Sequence, residues 1–305
     1  MFKDIVSNDL VKEFLQKELD FNRKAGTYLF YGVDNGLLKR FAKAFAKGLN
    51  CSELKNDFCG KCENCIRIES ETHGDLEILE DPSGIKVDSI RALAYKDSIT
   101  SYEGKNKIYI INNIEKMRKE AANALLKMIE EPNDGSFFIL LSGSLNILPT
   151  IKSRSILINI KSQTKEDLEV SLDEYSFFQG KALEIEKFKE RTDIDLEEVS
   201  SYENIGENLK KWLDTEDLIY KVEIYKNIRD FMNIREYLTL VDKSYFIEEI
   251  LKNSGNREDI KLILDYSINL IDKKSKKLEE ILEIKNIIKT PINLKNYLTI
   301  FFNKI

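Results

Sequence analysis

Short apolar runs recur along the first 160 residues. Five of them have the length and β-rich composition of strands, at residues 27–31, 76–79, 108–111, 137–141 and 156–160. The run from Ile108 to Ile111 is apolar throughout, as expected for a strand that is covered on both faces. These runs predict the strands of a buried β-sheet.

Helical spacing fills the intervals between the runs. One stretch places Leu38, Phe41 and Phe45 on one face, and another predicts a helix over residues 118–130 that Pro132 prevents from continuing. Strands that alternate with helices in this way predict an α/β domain with a parallel sheet.

The second half of the chain has helical spacing alone. Its apolar stripes are Leu209, Leu213, Leu218, Val222 and Tyr225, then Phe246 and Ile250, then Ile260 and Leu264. Residues 161–205 carry 13 acidic and 6 basic side chains, whereas the residues before them are balanced. We therefore predict three domains: α/β at 1–162, small and helical at 163–206, and helical at 207–305.

Composition narrows the functional class. The 305 residues have a net charge of −6, which disfavours a strongly basic nucleic-acid binder. No apolar run approaches the ~20 residues of a membrane helix, and charges scattered through residues 1–20 leave no room for a signal peptide. We expect a cytoplasmic protein without a membrane partner.

The four cysteines lie within fifteen residues, at Cys51, Cys59, Cys62 and Cys65. Four thiolates can surround Zn²⁺ tetrahedrally, and such a full set leaves no open position for catalysis. The spacing therefore predicts a structural zinc module at about residues 51–65. A disulfide scaffold or four unrelated thiols are the alternatives. We expect His73, the one histidine, to lie in a loop outside the metal shell.

A phosphate-binding loop is expected where the first strand gives way to a helix. Against the pattern G-x-x-x-x-G-K-[ST], Gly32 fits, whereas Leu37, Leu38 and Lys39 replace the second glycine, the lysine and the hydroxyl residue. If the register is shifted so that Lys39 serves as the lysine, Arg40 takes the hydroxyl position and the metal contact is still missing. The pattern predicts a degenerate loop, or else no nucleotide fold at all.

The strand at 108–111 ends without an acidic residue. Asn112 stands where an ATPase has a carboxylate that holds Mg²⁺ or polarises water. Two independent parts of the site thus lack the required chemistry, and we expect no bound nucleotide cofactor and no ATP hydrolysis by this chain.

Residues 123–132 have the sequence NALLKMIEEP, and residues 153–155 have the sequence Ser-Arg-Ser. The first run resembles the N-A-L-L-K-x-x-E-E-P run, and the second resembles the S-R-C motif with Ser155 in place of Cys, of bacterial DNA polymerase III clamp-loader subunits, which are AAA+ proteins. The four-cysteine module and residues 84–91 are also similar. The resemblance is strong over about residues 1–160 and rests on helical character beyond them.

The resemblance implies an AAA+-like domain, a helical lid and a C-terminal collar for oligomerisation. Within the family, the loss of the ATPase residues resembles the delta-prime subunits, which keep the arginine of the S-R-C motif. It implies partnership with gamma/tau and delta subunits, and loading of a sliding clamp onto primed DNA by the assembled complex. It also implies that Arg154 acts in trans as an arginine finger.

Three alternatives remain open. The chain could be an active gamma/tau-like ATPase with an unusual loop, or a zinc-module protein that binds nucleic acid independently. Arg154 could instead pair with a local carboxylate or cap the preceding helix. The basic residues near the cysteines are interleaved with acidic ones, which disfavours the independent nucleic-acid binder.

Overall fold

A computed structural model describes residues 1–81, 83–99, 105–189, 191, 194–271, 275, 277–290 and 292–305. It divides into two compact units: residues 1–168 with 181–183, and residues 169–180 with 184–305. Each unit is described by itself below. The boundaries at 162 and 206 stay predictions.

The first unit alternates strands and helices as predicted. Its elements are α1 (Asp9–Asp20), β1 (Gly26–Tyr31), α2 (Asn35–Asn50), α3 (Glu63–Glu69), β2 (Leu76–Leu79), α4 (Val87–Asp97), β3 (Lys107–Ile111), α5 (Lys119–Glu130), β4 (Ser136–Ser142), α6 (Pro149–Lys152), β5 (Ile156–Asn159) and α7 (Lys165–Leu168). Short 3₁₀ turns cover Phe2–Asp4 and Ile114–Lys116.

The five strands form one parallel sheet in the order β2-β3-β4-β1-β5. Successive side chains of a strand point to opposite faces, so each central strand contributes side chains to two hydrophobic cores. On one face, Phe30 of β1 and Ile139 of β4 pack with Phe41 and Phe45 of α2. On the other face, residues such as Leu29, Tyr109 and Phe138 pack with α4 and α5. The predicted parallel sheet with covered faces is confirmed.

This topology fixes where a ligand would bind. The strands are parallel, so their carboxyl ends meet at one edge of the sheet, which is where α/β folds place their ligands. Gly32, Asn112 and the segment leading to α2 all follow strand ends at this edge. The degenerate loop at residues 32–39 and Asn112 therefore lie at the same edge of the sheet. This region is called the corner below.

The second unit is helical. Its elements are α8 (Leu172–Phe177), α9 (Ala182–Lys189), α10 (Ile205–Thr215), α11 (Leu218–Ile234), α12 (Leu240–Asn253), α13 (Arg257–Asn269), α14 (Leu278–Asn286) and α15 (Leu294–Lys304), with 3₁₀ turns at Tyr202–Asn204 and Ile287–Lys289. The first two residues of α9 are assigned to the first unit. Aromatic rings fill its core, where Phe231 and Phe246 stack with centroids 4.0 Å apart.

The predicted stripes of this unit are buried at most positions, including Leu209, Val222, Tyr225 and Ile250. Leu213 differs, because it lies near the exposed end of α10 and keeps 37% of its surface accessible. Across the described segments, no helix combines the length and apolar content that crossing a membrane requires.

Candidate functional site

The amino end of α2 already holds a negative charge. Asp34 is buried and caps the helix: its Oδ1 accepts a hydrogen bond from the Leu37 amide at 3.1 Å, and its Oδ2 accepts one from the Ala182 amide at 3.1 Å. Unpaired amides and the helix dipole make such an end an anion site, which is why phosphate loops use it. Here a side-chain carboxylate of the chain itself takes that position.

Two of the three residues that replace the loop motif point into the core. Leu37 and Leu38 are fully buried and belong to the core on the α2 face of the sheet. A Cβ added to Gly32 would lie 2.2 Å from the carbonyl oxygen of Ile160, so this position is closed by neighbouring backbone. Leu38 therefore contributes packing at the position where a phosphate loop has its lysine.

Lys39 and Asn112 share one carboxylate. The Lys39 Nζ lies 2.7 Å from both carboxylate oxygens of Glu80, and the Asn112 Nδ2 donates to the Glu80 Oε1 at 3.1 Å. The Asn112 Oδ1 accepts a hydrogen bond from the Asn113 amide at 2.8 Å, and Asn112 is 1% exposed. The polar groups of this corner are thus satisfied by one another.

Sequence reasoning missed Glu80. It follows β2, which pairs with β3, so it reaches the same sheet edge as Asn112. A carboxylate directly after an apolar run is the signal that could have found it. Strand order was needed to place that carboxylate beside Asn112.

Ion pairs continue along α2. Lys43 Nζ lies 2.6 Å from Glu71 Oε1, and Lys47 Nζ lies 2.5 Å from Glu69 Oε2. With Lys39, these lysines recur every four residues and line a cavity of about 560 Å³. Each of the three lysines faces an acidic side chain of the same unit, which weakens the cavity as an anion site.

The four cysteine sulfurs converge. Their Sγ atoms all lie within 4.8 Å of one another, and those of Cys59 and Cys65 are 4.0 Å apart. Zn–S bonds of ~2.3 Å in a tetrahedron require sulfurs ~3.8 Å apart, so this donor set fits a four-thiolate metal site. The sulfurs are not paired in disulfides. His73 is outside the cluster, in the loop between α3 and β2.

Backbone amides support the thiolates. The amides of Leu54 and Cys59 donate to the Cys51 Sγ at 3.4 Å, and the Cys62 amide donates to the Cys59 Sγ at 3.2 Å. Gly60 lies between these donors with φ +73°, in the left-handed region that glycine adopts without strain. Such donors stabilise negative sulfur, which is the form that binds a metal.

The cysteine module is packed onto the sheet domain. Phe58, Cys65 and Ile68 belong to the same core as α2, and the Lys47 Nζ lies 4.3 Å from the Phe58 ring centroid. The buried carboxylate of Asp57 accepts a hydrogen bond from the Phe2 amide at 3.0 Å, which connects the module to the amino-terminal turn.

Arg154 follows α6 and precedes β5. Its Nη2 lies 2.7 Å from the Glu130 Oε1, and its Nη1 donates to the Thr150 carbonyl oxygen at 3.1 Å. Both contacts match the local role that the sequence left open, a carboxylate partner and a bond to the preceding helix. The side chain nevertheless keeps 36% of its surface exposed. Part of the arginine side chain is therefore accessible on this isolated chain.

Comparison with known proteins places these features in a family. Residues 7–164, over half of the chain, match the family model described as DNA polymerase III, delta subunit. DNA polymerase III subunit delta' of Bacillus subtilis strain 168 is 36% identical over 146 residues, which are 47% of this chain and 44% of that protein. DNA polymerase III subunit tau/gamma of Haemophilus influenzae is 34% identical over 163 residues, 53% of this chain and 24% of that protein.

The matched segments span less than half the length of these relatives. A gamma subunit-related DNA polymerase III protein of Thermotoga maritima has a similar fold, with a TM-score of 0.58 at 16% identity over 96% of this chain and 99% of that one. The family match confirms the resemblance read from the sequence, and the sheet confirms its AAA+-like fold. The chain belongs to the DNA polymerase III delta-subunit family, a family of bacterial clamp-loader proteins of the AAA+ type.

Proposed function

We propose that the chain is a delta-prime-type subunit of a DNA polymerase III clamp loader that does not hydrolyse ATP itself. The corner built by Asp34, Leu38, Lys39, Glu80 and Asn112 carries this proposal. An internal carboxylate lies at the helix end, a leucine fills the lysine position, and an asparagine replaces the acid. Productive ATP binding needs all three of these places.

The chain acts in this proposal through its neighbours. Arg154 serves as an arginine finger toward ATP held by an adjacent gamma/tau subunit, and the chain assembles with gamma/tau and delta subunits in the cytoplasm. A guanidinium stays charged and forms paired hydrogen bonds to phosphate oxygens, so it can stabilise charge that develops as the γ-phosphate bond breaks. The complex as a whole loads the sliding clamp onto primed DNA.

The cysteine module holds a structural Zn²⁺ in this proposal. Cys51, Cys59, Cys62 and Cys65 supply all four ligands, so the ion has no open position for a substrate or a reactive water. The convergence of the sulfurs and the amide donors around them support this assignment.

Nucleotide binding by the isolated chain tests the first part. Calorimetric titration with ATP and Mg²⁺ should show no binding at millimolar nucleotide, and phosphate release should equal that of a heat-killed sample. The gamma/tau subunit of the same source, titrated in parallel, provides the positive control. Saturable binding with turnover would favour the alternative, a gamma/tau-like ATPase. The similarity to a tau/gamma subunit supports testing that alternative.

A substitution at Arg154 tests the second part. In a complex reconstituted with gamma/tau and delta subunits, Arg154→Ala should leave assembly intact and slow clamp- and DNA-stimulated ATP hydrolysis at one interface. Arg154→Lys should rescue poorly, because an ammonium lacks the planar fork of a guanidinium. Unaltered hydrolysis and clamp loading by the alanine variant would show that Arg154 is not a finger.

A further inference from the structure

The guanidinium of Arg154 is held from two directions. Its Nη1 donates to the Thr150 carbonyl oxygen at 3.1 Å and to the Ser153 hydroxyl at 3.4 Å, and both partners belong to the segment that carries the arginine. Its Nη2 pairs with the Glu130 Oε1 at 2.7 Å, and Glu130 is the last residue of α5. Glu130 thus connects Arg154 to a different element.

Glu130 stands on a rigid support. Leu125, Met128 and Ile129 of the same helix are buried against the sheet, and Pro132 ends the helical path just beyond. The residues that bear Arg154 are equally fixed, because Ile151 is buried in the same core and Ile158 of β5 is buried in the sheet. A contact between two rigid supports defines the direction of a long side chain.

The ion pair contributes orientation more than stability. Arg154 and Glu130 keep 36% and 48% of their side-chain surface exposed, and exposed ion pairs contribute little to folding. An arginine side chain has many rotamers, and binding a phosphate in one of them costs conformational entropy. Contacts that select the direction beforehand lower that cost, as supporting residues do around active sites.

We propose that Glu130 is a positioning residue for Arg154, which directs the guanidinium toward the nucleotide of a neighbouring subunit. The proposal rests on the proposed function of Arg154 and deepens it. Glu130 itself touches no substrate. It pairs with the Nη2 of the guanidinium, while 36% of the arginine side chain stays exposed, so its effect passes entirely through Arg154.

The isolated chain gives the first test. Rotation of the Arg154 guanidinium, followed by nitrogen NMR, should be slow in the native chain and clearly faster in Glu130→Ala. Glu130→Gln keeps an acceptor oxygen and should preserve most of the restraint. Glu131→Ala is the matched control, because it removes the adjacent exposed carboxylate, which makes no described contact with Arg154.

The reconstituted complex with gamma/tau and delta subunits gives the second test. The Arg154-dependent rate is the difference in stimulated phosphate release between the native complex and its Arg154→Ala form. Glu130→Ala should lose most of this rate with the KM for ATP unchanged, whereas Glu130→Gln and Glu131→Ala should keep most of it. Adding Glu130→Ala to Arg154→Ala should cause no further loss, because residues that act through one another are not additive.

The outcomes distinguish the finger role of Arg154 from the positioning role of Glu130. If Arg154→Ala itself hydrolyses ATP at the native rate, the finger is wrong and the positioning role falls with it. If Arg154→Ala is slow but Glu130→Ala runs at or above the native rate, the finger stands and the positioning role is overturned. Free guanidinium rotation in the native chain would overturn the positioning role independently of any ATPase measurement.

Discussion

At the scale of single residues, Leu38 provides core packing at the position where a phosphate loop has its lysine. The side chain is fully buried among apolar neighbours of α2 and the sheet. We expect Leu38→Lys to lower the free energy of unfolding by at least about 3 kcal/mol, because core packing is lost and an ammonium is buried. It should create no ATP turnover, since Lys39 and Asn112 still fail to hold Mg²⁺. Denaturant unfolding and phosphate release measure the two effects.

Leu38→Met is the matched control for this substitution. It conserves volume and polarity, so its cost should stay below about 1.5 kcal/mol. A lysine variant as stable as the native chain would mean that the side chain reaches solvent or an anion. Steady turnover by that variant would show that the missing Mg²⁺ ligands are supplied elsewhere.

The ion pair between Glu69 and Lys47 of α2 should make the stability of the chain depend on pH. Partial burial pushes its pKa upward, but the hydrogen bond from Lys47 and the charges of Lys43 and Arg40 outweigh burial and hold the pKa below its ordinary value of 4.5. A pKa lower in the folded than in the unfolded chain adds stability above the unfolded value, and this stability disappears as the pH falls through the folded value.

We therefore expect Glu69→Gln to destabilise the chain at pH 7 by at most about 1 kcal/mol, because the Glu69 side chain is largely exposed. The difference from the native chain should shrink toward zero as the pH falls below about 4. Chemical unfolding across this range measures it, with Glu13→Gln on exposed α1 surface as the control. A difference that is constant with pH would contradict the ion-pair explanation.

At the scale of elements, the cysteine module is a small unit attached to a larger core. Metal binding can contribute ~10–16 kcal/mol to an isolated zinc module, whereas this domain also has its own sheet core. We expect one Zn²⁺ per chain by elemental analysis of protein purified under reducing conditions. Chelation should raise hydrogen exchange over residues 51–65 and leave the amides of β1 and β4 protected.

Variants distinguish ligands from bystanders in the module. Cys62→Ser should lower the bound zinc and loosen the same residues, whereas His73→Ala should keep one ion, because its ring is outside the sulfur cluster. Protein without metal, or a domain whose sheet loses protection together with the module, would contradict this division between module and core.

Strands were more predictable than their arrangement. The runs at 27–31, 108–111 and 137–141 are apolar enough to identify strands, because a doubly covered strand excludes polar residues from most positions. Because these strands are all similarly apolar, their sequences do not show which strands are neighbours. The order β2-β3-β4-β1-β5 therefore could not be predicted from the sequence. Glu80 could not be placed beside Asn112 for that reason, although both residues follow predicted strands.

At the scale of the whole molecule, sequence motifs predicted the family, which the apolar pattern alone could not do. The family resemblance over the first 160 residues rested on specific runs such as NALLKMIEEP, and the family match covers nearly the same residues. Beyond them, helical spacing alone predicted helices without their order. The pairing of Arg154 with Glu130 was out of reach for sequence reasoning, because the choice among nearby carboxylates depends on how α5 and α6 end.

The charge of the whole chain predicts how it meets DNA. The net charge is −6, and Lys39, Lys43 and Lys47 on α2 are each paired with a carboxylate. Binding to the phosphate backbone depends on cations that release counterions, so a chain whose basic stripe is neutralised internally has little drive to bind alone. We therefore expect the isolated chain to retain no primed DNA in a filter-binding assay at physiological salt. The reconstituted complex should retain it, with an affinity that falls as salt rises.

Salt dependence makes this prediction decisive. A chain that bound DNA independently would lose affinity steeply with salt, with a log–log slope of about −0.9 for each phosphate contacted. Such a slope for the isolated chain would support the independent zinc-module nucleic-acid binder. Removing zinc would then abolish retention of DNA by the isolated chain. Under the proposed function, the chain alone should stay unbound with or without metal, and only the reconstituted complex should retain DNA.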